Sequence, residues 1–156
     1  MAIMKSNVTI ARAETAEDIA AVKRIFEAFV AFLPIDLGFQ GIDSEMAEFP
    51  KIYEFLLLAK MDDKPLGAVA LKRHSDDVCE MKRLYVLPEA QGTGAGRALC
   101  DVLLTEAKNE GYSTMLLDSL RRLEAAVNLY KKLGFEETAP YNFNPEDDVV
   151  YMKRAL

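Results

Sequence analysis

The chain has no tryptophan, a single histidine (His74) and two cysteines (Cys79 and Cys100) among its 156 residues. Two cysteines without CxxC spacing argue against a disulfide framework or a zinc ribbon. In their apolar stretches they read as reduced, buried thiols. His74 has no nearby His or Cys to complete a ligand set, so no metal is expected. Positive charge is also scarce: 19 Lys and Arg against 25 Asp and Glu leave a net charge of −6. Phosphate-backbone binding requires clustered cations, so no nucleic-acid partner is expected. The acidic balance suits a cationic small substrate and equally a plainly soluble surface. No apolar run approaches the roughly 20 residues of a membrane span, and Met1–Lys5 opens without the apolar core of a secretory signal. No membrane association and a cytoplasmic location are the expectations. What is present is ordinary for a folded domain, with 51% hydrophobic and 28% charged residues. That composition rejects disorder, and the length fits one domain over residues 1–156.

Val8–Ala13 reads as a strand, and Thr15 with Asp18 three residues on is close to a capping box. Ile19, Val22, Ile25, Phe26, Phe29 and Val30 then recur at helical spacing until Pro34 stops the helix. Residues 34–50 carry two Gly and two Pro and predict a loop with a short helix around Ser44–Phe49. Its length makes Leu33–Pro50 a candidate substrate lid, with a plain connector as the competing reading. Tyr53–Met61 and Pro65–Arg73 form a hairpin signal through Asp62-Asp63-Lys64. Asp77–Val86 alternates Val78, Glu80, Lys82, Leu84 and Val86 on one face, and Pro88 ends it. Leu99, Val102, Leu103 and Ala107 predict an amphipathic helix closing at Gly111. A short strand at Thr114–Asp118 follows. Ala126, Leu129, Tyr130 and Leu133 line the next helix, which stops at Gly134. A last pair of strands is predicted at Phe135–Thr138 and Val149–Lys153. The order β-α-(α)-β-β-β-α-β-α-β-β is that of an α/β (α+β) domain with a mixed sheet.

Gln91-Gly92-Thr93-Gly94-Ala95-Gly96-Arg97 lies between a predicted strand and a predicted helix. Glycine permits positive φ and close approach to a ligand. The helix start offers unpaired N–H groups and the positive end of its dipole. Together these suit a phosphate or pyrophosphate, against the competing reading of a simple tight turn. GxGxxG fails in both registers, at Arg97 and at Leu99, and the Walker A pattern meets Arg97 where it needs glycine.

The loop resembles the GNAT superfamily of acetyl-CoA-dependent N-acetyltransferases, whose [Q/R]-x-x-G-x-[G/A] signature is matched by Gln91, Gly94 and Gly96. Leu84-Tyr85-Val86-Leu87-Pro88 resembles the strand before that signature. Ala126, Leu129-Tyr130 and Leu133-Gly134-Phe135 resemble a second signature, A-x-x-L-Y-x-x-x-G-F. The resemblance implies a mixed, mostly antiparallel central sheet flanked by helices. It implies that acetyl-CoA is held by the backbone of Leu84, Tyr85 and Val86 along its pantetheine arm. Gln91, Gly92, Thr93, Gly94, Ala95, Gly96 and Arg97 would hold its pyrophosphate. The acetyl end would enter a splay beside Thr114–Asp118, and the acceptor would be a primary amine of a small molecule or peptide. A homodimer is a family-level expectation. Where many members carry Asn, seven residues before the tyrosine, this chain has Leu123. The turn at Pro140–Pro145 and Val149–Met152 resemble one bacterial subgroup without fixing a substrate.

Acetyl transfer to an amine needs a proton removed from nitrogen and one supplied to the departing thiolate. Alkylamines with a pKa of about 10.4 are only ~0.1% neutral at pH 7. Tyr130 fits the donor, because a phenol of pKa about 10 stays protonated; helical spacing alone makes it a core residue. The resemblance places the family's general acid there. Glu80 is the candidate base, on the strand just before the cofactor segment, against the reading of a partner for Lys82 or Arg83. Asp118 is the next candidate. Cys100, on the helix beside Leu99 and Val102, is unattractive as a covalent carrier. The competing classes are an acyl-CoA-binding regulatory module without turnover and, lacking the Lys-Ser/Thr pair, a nucleotide-triphosphate-binding domain.

Overall fold

The computed structural model describes residues 8–33 and 47–156. The short helix expected around Ser44–Phe49 begins outside the described residues, as does most of the expected lid.

Strand β1 (Val8–Arg12) leads into helix α1 (Ala16–Phe32). The Thr15 side chain accepts a hydrogen bond from the Asp18 N–H at 3.1 Å, which satisfies one orphan donor of the first turn. Thr15→Ala is therefore expected to cost about 1 kcal/mol. The melting temperature should fall by roughly 2–4 °C, and thermal unfolding followed by circular dichroism checks it. Leu33 caps the helix in an extended conformation, as a residue before proline prefers.

Strands β2 (Phe55–Met61) and β3 (Lys64–Arg73) pair antiparallel through Asp62 and Asp63. Both aspartates have positive φ, 51° and 64°, as a two-residue type I′ turn demands. β4 (Val78–Val86), a 3₁₀ turn at Pro88–Ala90, α2 (Ala95–Asn109), β5 (Thr114–Leu120), α3 (Glu124–Lys132), β6 (Glu136–Glu137) and β7 (Val149–Ala155) complete the chain. The seven strands form one sheet in the order β1-β2-β3-β4-β5-β7-β6, antiparallel throughout except for β4 beside β5. The mixed, mostly antiparallel α/β sheet expected from the sequence is the one observed.

The sheet is covered on both faces, which is why β2 reads as an unbroken apolar run. On one face, Leu57, Val69, Leu71, Met81 and Met115 pack with Leu99 and Leu103 of α2 and Tyr130 of α3. On the other, Leu56, Leu58, Ala68, Ala70 and Tyr85 pack against Val22, Ile25 and Phe26 of α1. Phe49 and Tyr53 meet Phe26 edge-on at 5.9 Å and extend this second layer. Cys79 and Cys100 are free and fully buried, and burial pushes both thiols up to about 12.

The expected alternation of β4 breaks. Ala68 pairs with Tyr85 but Ala70 with Lys82, so β4 holds one residue more than β3 across this stretch. Arg83 sits in this bulge at φ 61°. The extra residue reverses the faces: Glu80 and Lys82 lie opposite Met81, toward α1, while Leu84 and Val86 pack with the α2 and α3 layer. Glu80 and Leu84 therefore do not share a face, contrary to the period-2 reading.

Candidate active site

The loop before α2 and the first turn of that helix carry N–H groups without partners among the described residues. Gly92 and Gly94 have φ of 85° and 88°, and Gly94 is the N-cap of α2 without a side-chain cap. The Thr93 hydroxyl donates to the Ala90 carbonyl at 2.6 Å and accepts from the Ala95 N–H at 3.4 Å, which fixes the turn from within. The N–H groups of Gly92, Gly94, Gly96 and Arg97 meet no acceptor among the described residues. Such an array favours anionic oxygens. Gln91 donates its side-chain amide to the Val86 carbonyl at 3.2 Å, tying loop to strand. Arg97 is exposed and lies 3.6 Å from Asp101, one turn along the helix.

β4 and β5 pair over three residues only, Val78–Glu80 against Thr114–Leu116. Beyond Glu80 the strands diverge, and among the described residues that edge of β4 has no neighbouring strand. A cleft of about 560 Å³ fills the opening next to the glycine loop. Leu84, Tyr85, Val86, Gln91, Gly92 and Gly96 form one wall, and Leu123, Ala126, Leu129 and Tyr130 of α3 and its entry form the other. Phe32 also lines it, 53% exposed, with its ring 5.6 Å from Tyr85. A second cavity of about 100 Å³ adjoins it and shares Phe29, Leu84, Leu123, Ala126 and Tyr130. Met81, Lys82, Asp118, Ser119 and Asn144 line only this smaller space. Since Met81 and Lys82 face opposite sides of the sheet, this cavity passes through the splay rather than lying on one surface.

Tyr130 sits at the junction. Its side chain is buried, its ring meets Phe135 at 6.0 Å, and its hydroxyl has no hydrogen-bond partner among the described residues. Burial, with Cys100 and Asp118 nearby, drives its phenol well above the ordinary value. Glu80 is the only buried charged residue described, 6% exposed. Its carboxylate accepts from the Tyr141 hydroxyl at 2.7 Å and lies 3.6 Å from the Lys82 ammonium. Burial and that carboxylate push the Tyr141 phenol up. Asn142 donates to Asp118 at 3.2 Å, and the Tyr151 hydroxyl donates to Asn142 at 3.0 Å. Asp118 thus bonds to the β6–β7 connection and does not cap α3, whose N-cap is Leu123.

The structure therefore gathers Leu84, Tyr85, Val86, Gln91, Gly92, Gly96 and Tyr130 around one cleft and leaves Glu80 outside the lining of both cavities, bonded to Tyr141 and 3.6 Å from Lys82. Sequence reasoning missed Phe32, Lys82, Tyr141 and Asn142 as site residues. The signal available was the density of aromatic and amide side chains in Pro140–Pro145. Leu123, seven residues before Tyr130, gives an apolar wall to both cavities. Among the described residues, no three His, Cys, Asp or Glu cluster to hold a metal ion. No helix among them is long and apolar enough to cross a membrane.

Comparison with known proteins gives a consistent family. Residues 22–135 match the model of the Acetyltransferase (GNAT) family. An N-acetyltransferase of Schizosaccharomyces pombe is 36% identical over 154 residues, covering 95% of this chain and 94% of its own length. An acetyltransferase of Salmonella typhimurium, solved with its cofactor acetyl-CoA, aligns with a TM-score of 0.75 at 25% identity, covering 96% of this chain and 94% of its own. An acetyltransferase of Streptococcus agalactiae shares the fold, with a TM-score of 0.76 at 17% identity and 96% and 99% coverage.

Proposed function

The chain belongs to the GNAT family of acetyltransferases, and on that premise we propose that it moves an acetyl group from acetyl-CoA to a primary amine of a small molecule or peptide, by direct attack with both bound. Residues 1–156 would act as a single catalytic domain. The observation that carries this reading is the junction of two cavities at Tyr130, where β4 parts from β5. Acetyl-CoA supplies an acetyl group activated as a thioester. The free N–H groups of Gly92, Gly94, Gly96 and Arg97 suit its pyrophosphate. Thr93 and Ala95 shape that loop, and Gln91 fastens it. The unpaired edge of β4 at Leu84, Tyr85 and Val86 suits the amides of its pantetheine arm, as a peptide adds to a sheet edge.

Tyr130 then gives its proton to the departing sulfur, a role that suits a phenol kept protonated by burial. Glu80 takes the amine proton through an intervening water, since its carboxylate lines neither cavity and is bonded by Tyr141 and paired with Lys82. Asp118 is a second candidate because it lines the smaller cavity itself. Glu80→Gln and Asp118→Asn separate the two: the variant lacking the base loses the acid-side limb of the pH–rate profile.

Thermal shift with acetyl-CoA, CoA and ATP, followed by thiol release with an amine panel, tests the reading. Both CoA species should stabilise the fold, by about 2.7 kcal/mol at a hundredfold excess over Kd, and ATP should not. Stabilisation without thiol release from any amine favours an acyl-CoA-binding module instead. No response to either CoA species overturns both.

A further inference from the structure

Lys82 combines burial, charge and incomplete pairing at the wall of the small cavity. Its side chain is 10% exposed. Its one ionic partner among the described residues, Glu80, stands 3.6 Å away, beyond hydrogen-bonding distance, and takes a shorter bond from Tyr141 at 2.7 Å. No other described residue accepts a hydrogen bond from the Lys82 ammonium. An ammonium carries three donors, and leaving them without acceptors away from water is costly. The cavity it lines is separate from the glycine loop, so the anionic parts of the cofactor at that loop do not reach it. Arg83 lines the same space, while Asp118 lies on its wall and holds Asn142.

We propose that Lys82 binds a carboxylate carried by the acceptor, so that the substrate class is an amine that also bears a carboxylate. This rests on the acetyl-transfer reading above and narrows it. The two charges have places in one cavity: the carboxylate on Lys82, and the amine toward Asp118 and the junction with Tyr130. The overall acidity of the chain would suggest a simple cation, but a cation whose side chain is only 10% exposed, Lys82, lines this cavity. Local groups decide what enters a site of about 100 Å³. A site built to satisfy a buried charge also discriminates strongly against a ligand that leaves it unpaired.

The experiment pairs amines that differ by one carboxylate: alanine with ethylamine, phenylalanine with phenethylamine, and lysine with cadaverine. Thiol release from acetyl-CoA is measured with the full-length protein and with Lys82→Met, which keeps the apolar stem. For each amine the ratio of kcat/KM between the two proteins cancels the amine's own basicity. That ratio should be larger for the carboxylated member of a pair by a factor on the order of 10 to 10², expressed mainly in KM. Equal ratios across every pair overturn the proposal while leaving acetyl transfer intact. A second measurement needs no variant: propionate and 3-phenylpropionate, which lack the amine, should compete with the best acceptor and not with acetyl-CoA. If neither acid inhibits, or if both compete with acetyl-CoA, Lys82 does not hold the acceptor's carboxylate. If no amine releases thiol and CoA gives no thermal shift, the underlying reading fails and this one with it.

Discussion

Tyr130→Phe is expected to lower kcat by about 10²-fold while the Kd for acetyl-CoA stays nearly unchanged. General acid catalysis contributes roughly 10²- to 10⁴-fold, and the lower end applies here for a chemical reason. A thiol with a pKa near 8.5 leaves as a tolerable thiolate even without a proton. The same logic gives a diagnostic: with a thioester whose leaving thiol is less basic, the deficit of the variant should shrink. The phenol is pushed upward by burial. Tyr130 should therefore add no fall in rate on the alkaline side, where an unperturbed phenol of pKa about 10 would begin to ionise. The substitution removes only a hydroxyl that no described residue bonds, so stability should hold within about 0.5 kcal/mol. Single-turnover kinetics with isothermal titration of acetyl-CoA checks both halves. A rate equal to that of the unmodified protein removes the acid role.

The features legible in the sequence were those set by short-range spacing. The glycine loop, the α1 cap at Thr15 and the position of Tyr130 on its helix all follow from neighbours within a few residues. Glu80 illustrates the limit. Its face depends on an extra residue at Arg83, a non-glycine with φ 61° that no composition rule announces. Besides pairing with Lys82, it is bonded by Tyr141, 61 positions away in a segment without helical or strand periodicity. The splay was similarly hidden: strands of nine and seven residues pair over only three. Lys82 carried a sequence signal only as a neighbour of Glu80. Its burial and its place on the cavity emerge from tertiary packing.

Gly67→Val should be the most damaging single change to the β4 wall of the cleft among residues that do not line it. A Cβ at Gly67 would stand 3.0 Å from the Tyr85 carbonyl oxygen, 3.2 Å from Val86 Cγ2 and 3.3 Å from Leu99 Cδ1. The first of these is backbone and cannot rotate away, so β4 itself must shift. Overpacking of this kind costs about 1–3 kcal/mol, which lowers the melting temperature by roughly 2–4 °C per kcal/mol in a chain of this length. The consequence reaches further than stability. Tyr85 and Val86 line the cleft, and Leu99 lies on the helix that begins at the glycine loop. Moving them displaces the unpaired edge of β4 relative to the N–H groups of Gly94 and Gly96, so the Kd for acetyl-CoA should rise along with the loss of stability. Gly94→Ala provides the contrast. Its φ is 88° and nothing lies within 4 Å of the added carbon, so the cost is local backbone strain of about 1–2 kcal/mol. Amide exchange separates the two cases: Gly67→Val should loosen β3 and β4 together, and Gly94→Ala only the first turn of α2. Equal protection of β4 in both variants would show that the strand absorbs the valine without moving.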